Sequence, residues 1–243
     1  MFLASNSFVS QVIVFLFPHD CFERFFVQYD FLDGECMRLV ASRFLGLGVT
    51  AGSALVLMPQ IIKIQSGRSG AGVSLLSMLL AWLACMGTSG YSYAKRFNFS
   101  QWGDALFMTL QVSIIILQIL VFSDRLPQAL LFTAFLSATI GALYLNKVPM
   151  AMLTFLQAAT IPITVFSKGI QIQTNISNRS TGQLSSISVG LQFVGCLARI
   201  FTSVQETNDQ LVIITYIIAS ILNGIIFAQV FIYWGRKPPR KME

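Results

Sequence analysis

The chain has 243 residues, of which 55% are hydrophobic and only 11% are Asp, Glu, Lys or Arg, and its mean hydropathy is +0.70. A soluble domain carries about 25% charged residues, and a globule of this length has too much surface to hide so much apolar side chain; a disordered chain is excluded by the same numbers. The net charge of +6 does not indicate a nucleic-acid partner, because the basic residues are scattered among hydrophobic stretches and not gathered on a polar surface.

Taken in chain order, the run from Phe8 to Phe17 is apolar but too short to span a bilayer. No Lys or Arg precedes it and no small-residue cleavage pattern follows, so it reads as an interfacial segment and not as a signal peptide. His19, the only histidine, and Cys21 and Cys36 fall in the same N-terminal segment, and the two cysteines can pair if that compartment oxidises. Seven stretches then approach the ~20 apolar residues needed to cross a hydrocarbon core of ~30 Å. They cover 40–62, 73–94, 102–122, 126–145, 148–168, 185–205 and 211–233. The longest connection, around 169–184, is polar and rich in Asn, Ser and Thr, and no room remains for a soluble catalytic domain. Strand-like alternation is absent, so a helical bundle is expected. Cys85 and Cys196 fall mid-helix, where small packing roles are expected.

Sliding the chain by 111 residues brings Gln60-Ile61 onto Gln171-Ile172, Ser66 onto Ser177, Arg68-Ser69 onto Arg179-Ser180, Ser74 onto Ser185, Ser77 onto Ser188, Leu80 onto Leu191 and Cys85 onto Cys196. These are nine identities in the 26 positions 60–85, against about two expected from composition. Seven of the nine are polar or Cys, so hydrophobic bias does not explain them. Helices 1–3 and 5–7 are therefore two copies of one unit. The single helix between them makes both copies cross in the same direction, a plan known among transporters.

Orientation follows from the basic residues. With the N-terminus outside, nine lie inside (Lys63, Arg68, Arg125, Lys168, Arg179, Arg236, Lys237, Arg240, Lys241) and six outside (Arg24, Arg38, Arg43, Lys95, Arg96, Lys147). Eight of the ten acidic residues, Asp104, Glu206 and Asp209 among them, also fall outside.

Pro59 removes a helix hydrogen bond, so the Pro59-Gln60 pair predicts a kink that lines a cavity or serves packing alone. Polar stripes predict the inner faces: Gln111 and Gln118 on helix 3, Gln157, Thr160, Thr164 and Lys168 on helix 5, Gln192, Cys196, Arg199, Ser203 and Glu206 on helix 6, and Asn223 and Gln229 on helix 7. Interhelical bonding, at about 0.6 kcal/mol each, is the alternative use of such groups. Arg199 is the one charge read as deep in a span. It can snorkel, pair with Glu206, or meet a lipid phosphate.

Pro59-Gln60, the basic loop after it and Gly72-Val73-Ser74 resemble the PQ-loop family, whose seven helices run as 3+1+3. Phe99-Ser100-Gln101-Trp102-Gly103-Asp104-Ala105-Leu106-Phe107, Thr181-Gly182-Gln183-Leu184-Ser185, Ala198-Arg199-Ile200-Phe201-Thr202-Ser203-Val204-Gln205-Glu206-Thr207 and the Tyr233-Trp234 and Lys237-Pro238-Pro239 region are similar to the branch of that family needed for using dolichol-linked sugars. Two departures stand out: the second copy has Ile170-Gln171 where Pro-Gln is expected, its nearest proline being Pro162, and the first 37 residues have no counterpart.

The resemblance implies an all-α membrane protein with two parallel repeats. Its plan is an outer, lumenal segment at 1–37, a first three-helix repeat at 38–125, a linker helix at 126–147, a second repeat with a degenerate PQ-loop at 148–234, and a basic cytosolic tail at 235–243. It also implies an endoplasmic reticulum protein required for using dolichol-phosphate-mannose and dolichol-phosphate-glucose. Membrane lipids, dolichol-linked sugar donors and dolichol-dependent glycosyltransferases are the expected partners. The candidate lipid or substrate pathway comprises Pro59, Gln60, Gln111, Gln157, Pro162, Gln171, Gln192, Arg199 and Asn223. Arg240 and Lys241 read as a retrieval signal or as an ordinary basic flank. A proton-coupled carrier of amino acids or sugars is the alternative, and it would call for a buried Asp or Glu that no predicted span centre supplies. An enzyme is not expected, nor a cofactor or metal: no nucleophile triad, zinc cluster or phosphate-cradling Gly loop is present, and Asp33-Gly34-Glu35 reads as a solvated acidic loop.

Overall fold

The computed structural model describes residues 13–17, 20–31, 33–70, 73–181 and 186–234, with the side chains of 186–188 left aside. The described chain forms a short helix α1 (Cys21–Phe26) and then α2 (Gly34–Ser53), α3 (Met58–Gly67), α4 (Leu75–Ala94), α5 (Phe99–Phe122), α6 (Leu126–Tyr144), α7 (Met150–Asn178), α8 (Ser186–Glu206) and α9 (Gln210–Ile232). Six segments, α2 and α3 counting as one, are long and apolar enough to cross a membrane. The helix α8 is of similar length, and it buries Arg199, Thr202 and Ser203 against its neighbours.

The repeat is visible in the helix ends. α4 starts at Leu75 and α8 at Ser186, α5 starts at Phe99 and α9 at Gln210, and α3 and α7 end at Gly67 and Asn178. Each pair is offset by the same 111 residues. Arg68 and Arg179, the matched residues after α3 and α7, both close their helix in the left-handed conformation, at φ 42° and 46°. Within a repeat the third helix packs against both others: α5 against α2 and α4, α9 against α7 and α8. Across the repeats α4 packs on α7 and α2 on α8. The six helices thus close a ring in the order α2, α5, α4, α7, α9, α8. The linker α6 lies outside it, against α5.

Two span boundaries differ from the sequence expectation. The first span is not one kinked helix: α2 stops at Ser53, residues 54–57 form a turn, and α3 starts at Met58. Pro59 sits in the first turn of α3, where its missing N–H costs nothing. The second is the expected polar loop at 169–184. Residues 169–178 instead continue α7, and the loop is shorter. Lys168 therefore lies inside a helix and not in a loop. Arg43 lies inside α2 likewise. Lys63, Arg24 and Arg38 also lie within helices, and with all five set aside the basic count is seven to three, in the same sense. Pro162 lies within α7, which runs on through it; neighbouring helices in a membrane accommodate such a residue.

One face of the bundle, here the capped face, carries α1. A Cys21–Cys36 disulfide ties that helix to the start of α2, as the oxidising-compartment alternative anticipated. Cys21, Phe25 and Cys36 are buried together with Phe17 against them. Asp33 caps α2 by accepting from the backbone N–H of Glu35 and Cys36. The Arg24 side chain bonded to it, and then those two N–H groups, hold its carboxyl below the usual carboxylate range.

Glycine sets the α2–α5 crossing. A Cβ at Gly46 would stand 2.6 Å from the Ser100 carbonyl oxygen, and one at Gly103 would stand 2.6 Å from Thr50 Cγ2. Small residues of this kind let backbones meet in a bilayer. Gly46→Val should lower stability by about 1–3 kcal/mol through overpacking. The midpoint of thermal unfolding in detergent measures it, and an unchanged midpoint would mean that α2 and α5 separate at no cost.

Candidate functional site: an ionic core and two amide hooks

The capped half of the ring holds charges that the sequence reading placed in solvent. Arg199 on α8 reaches across to α5, its terminal nitrogen 2.6 Å from Asp104 Oδ1 and its Nε donating to Oδ2 at 3.2 Å. Its other terminal nitrogen donates to the Ser100 carbonyl at 2.6 Å, and a further N–H goes to Thr50 Oγ1 on α2 at 3.4 Å. Arg199 is buried, with 3% of its side chain accessible, and Asp104 keeps 20%. The expected partner Glu206 is taken by another guanidinium. Arg43 Nε on α2 is 2.6 Å from Glu206 Oε2, and both side chains are buried. Ser42 donates to Glu206 Oε1 at 2.8 Å and Asn98 to Oε2 at 3.1 Å. Arg43 also donates to the Phe15 carbonyl at 2.7 Å, which ties the N-terminal segment to this core.

Arg199 is therefore not the one deep charge. Glu206 ends α8, while Asp104 lies about one turn, Arg199 about two turns and Arg43 about two and a half turns in from the capped ends of their helices, each charge neutralised across a helix boundary. The sequence reading missed Asp104 because it stands at the rim of its predicted span, although it lies in the segment that carries the family resemblance. A third acid works nearby: Asp209 caps α9 and accepts from Tyr91 Oη of α4 at 2.8 Å, with Lys95 3.7 Å away. These hydrogen bonds and ion pairs, which join the two repeats, all fall in this half. The buried acids Asp104 and Glu206 stand near the capped ends of α5 and α8, not at the span centres where a proton carrier was sought.

Near the opposite face each repeat fastens its first helix to its third in the same way. Gln118 on α5 donates to the Ile61 carbonyl of α3 at 3.2 Å, and Gln229 on α9 donates to the Ile172 carbonyl of α7 at 3.2 Å. Both residues of one bond are 111 positions from those of the other. A second contact completes each hook, Gln118 with Gln65 and Gln229 with Asn175. The signal lay in the polar stripes, where Gln118 and Gln229 share the repeat offset.

The break between α2 and α3 has its own partner. Gln111 donates to the Ser53 carbonyl and accepts from the Leu57 N–H, both at 2.9 Å, which satisfies backbone groups that the turn releases. The equivalent position in the second repeat is Leu222, and there α7 is unbroken. Of the remaining candidates, Gln157 donates to Thr215 at 3.4 Å, Lys168 donates to Gln192 at 2.9 Å, and Asn223 lies 3.4 Å from Cys196 Sγ. The Gln157 and Asn223 side-chain oxygens are buried without a donor among the described residues. Pro59 is exposed, and Gln60 and Gln171 are half-buried. The candidates thus divide into the helix break, three polar pairs inside the second repeat, and the ionic core. They do not form one cluster.

Asp104→Asn and Arg199→Gln should each destabilise the protein by at most about 3–5 kcal/mol, the accessible edge of Asp104 reducing the figure. The double variant should lose clearly less than the sum in thermal unfolding, and strict additivity would deny the pair. Gln111→Leu strands two backbone groups and should cost about 1–3 kcal/mol, whereas Pro59→Ala should stay within about 0.5 kcal/mol. A larger loss from Pro59→Ala, measured the same way, would reinstate the kink as the stabilising feature.

Comparison with known proteins agrees with this architecture. The family model described as PQ loop repeat matches residues 41–101 and 152–212, two stretches again 111 apart. The human protein named solute carrier family 66 member 3 is 29% identical over 201 residues, covering 81% of this chain and 94% of its own length. With two matched repeats spanning half its length and the helices paired accordingly, the chain belongs to the PQ-loop family.

Proposed function

We propose that this PQ-loop membrane protein is a non-catalytic component of the endoplasmic reticulum that handles dolichol-phosphate-mannose and dolichol-phosphate-glucose for lipid-linked oligosaccharide synthesis and protein glycosylation. One observation carries the reading. The segments most similar to the mannose-P-dolichol utilization defect 1 protein, 99–107 and 198–207, meet in space and supply Ser100, Asp104, Arg199 and Glu206 of the ionic core. The residues behind the resemblance are thus those that hold the two repeats together. Dolichol-dependent glycosyltransferases are the proposed protein partners.

The capped face is taken as lumenal. The disulfide at Cys21–Cys36 suits an oxidising compartment, and the basic residues Lys63, Arg68, Arg125 and Arg179 gather toward the other side. The proposed retrieval residues Arg240 and Lys241 lie outside the described residues.

A second reading, a proton-coupled carrier of a small solute, is favoured by the buried carboxylates and by the donorless amide oxygens of Gln157 and Asn223 inside the second repeat. A solute would use that interior. The name of the solute carrier relative points the same way.

Profiling lipid-linked oligosaccharides after loss of the protein separates the two. Truncated oligosaccharides with normal donor-lipid levels are expected for donor handling, and a normal profile would reject it. A tag after Glu243 should be digested by protease added to sealed microsomes; a shielded tag would reverse the orientation.

A further inference from the structure

Four cavities lie along one face of the bundle, the furrow between α4, α5 and α6. In the capped half, an apolar slot of about 240 Å³ is lined by Ser89, Gly90, Leu106, Leu110, Ile140 and Leu143 among others. It shares Tyr93 and Trp102 with a more polar cavity of about 490 Å³ that holds Arg96 and Asn146 at the surface and the partly buried Asn98 in its wall. The arrangement recurs in the other half. An apolar groove of about 390 Å³, with Leu79, Ile116, Leu131 and Phe135 in its walls, shares Leu75 and Leu120 with a cavity of about 400 Å³ that holds Ser69, Ser123 and Arg125. From Tyr93 to Leu75 along α4 the two halves of the furrow together span about 27 Å, and their apolar cavities share no lining residue. Between its halves stands one waist, where the Trp82 ring meets those of Phe132 at 5.4 Å and Phe135 at 5.9 Å.

We propose that this furrow binds a phosphate-bearing polyisoprenoid lipid, its chain along α4–α6 and its phosphate at Arg96 or Arg125. The choice of lipid rests on the function proposed above. A chain is the fitting occupant because the walls are apolar and face hydrocarbon, and an unfilled groove forfeits dispersion contacts. The room arises because α6 leaves the ring: only 11% of its most apolar stretch is buried. A phosphate is the fitting headgroup because both arginines are exposed and pair with no acidic side chain among the described residues. A guanidinium presents two parallel donors to a phosphate, at the depth where headgroups lie. With a basic mouth at each end and a single aromatic waist, the same face serves the lipid in either leaflet.

The test uses the full chain in phosphatidylcholine nanodiscs and dolichyl phosphate carrying a diazirine in its chain. After illumination, the label should map to α4, α5 and α6, and an excess of plain dolichyl phosphate should displace it where the same excess of phosphatidylserine does not. Arg96→Gln should weaken labelling of the capped half about tenfold, the worth of one charge-assisted contact. Ile140→Trp should fill the slot and do the same. Ile140 is half exposed to lipid, and an unaltered unfolding midpoint checks that the variant folds. Label concentrated on the ring interior of α7–α9, equal displacement by phosphatidylserine, or undiminished labelling of folded Ile140→Trp would each overturn the proposal. Truncated oligosaccharides on loss of the protein with label outside the furrow would remove the track alone. A normal oligosaccharide profile with label in the furrow would remove the donor-handling function and leave the track.

Discussion

Two arginines buried inside a bilayer-sized bundle constrain this structure more than any other feature. A guanidinium stays charged at any physiological pH, so once Arg43 and Arg199 lie within helices their charge must be met there. Glu206 and Asp104 meet it, and each pair joins helices from different repeats. Such pairs are poor sources of net stability, because the desolvation of both ions offsets much of their attraction. What they impose is position. Arg199 reaches Asp104, Ser100 and Thr50 together only if α2 and α5 cross closely, and Gly46 and Gly103 are the residues that permit that crossing. The charges, the glycines and the ring order are one arrangement.

The other requirement is that backbone groups find partners where water is scarce. The two repeats answer it differently at one point. In the first, the helix is interrupted and Gln111 satisfies both sides of the break; in the second, Leu222 stands at the matching position and the helix continues. The glutamine and the break go together, and so do the leucine and the unbroken helix. Elsewhere the repeats agree, down to the carbonyls that Gln118 and Gln229 reach. The Pro-Gln pair that marks the family in sequence lies in the first turn of α3, directly after the interruption.

Composition and a single offset of 111 residues made most of this fold legible. The first excluded everything but a membrane bundle, and the second set out the 3+1+3 plan, to which the matched helix starts and the paired left-handed caps then conform. Two boundaries were not legible. Residues 54–57 look as apolar as their neighbours; the break comes with Pro59, which cannot donate to the Leu55 carbonyl, and with Gln111, 54 residues away from Leu57. Residues 169–178 look like a loop because they are rich in Asn, Ser and Thr, yet the offset onto the helix 58–67 already contained their structure. The ionic core was hidden for a different reason. Arg199 and Asp104 are 95 positions apart, and hydropathy places Asp104 at a span's edge, where a solvated acid and a buried one look alike. The resemblance of 99–107 and 198–207 to one family branch marked both segments but not their contact.

Charge fastens the two repeats in the capped half. In the capped half, Asp104, Glu206 and Asp209 each hold a partner from the other repeat, and parting them would leave charges uncompensated in a medium of low polarity. Toward the opposite face, the two glutamine hooks bind helices within each repeat. Sliding apolar surfaces past one another in lipid costs little, because lipid chains solvate them as well as a helix does. Relative movement of the two three-helix units is thus cheapest about the capped end. The furrow between α4, α5 and α6 lies within the first unit and its linker, so it would travel with that unit and not open or close with the ring.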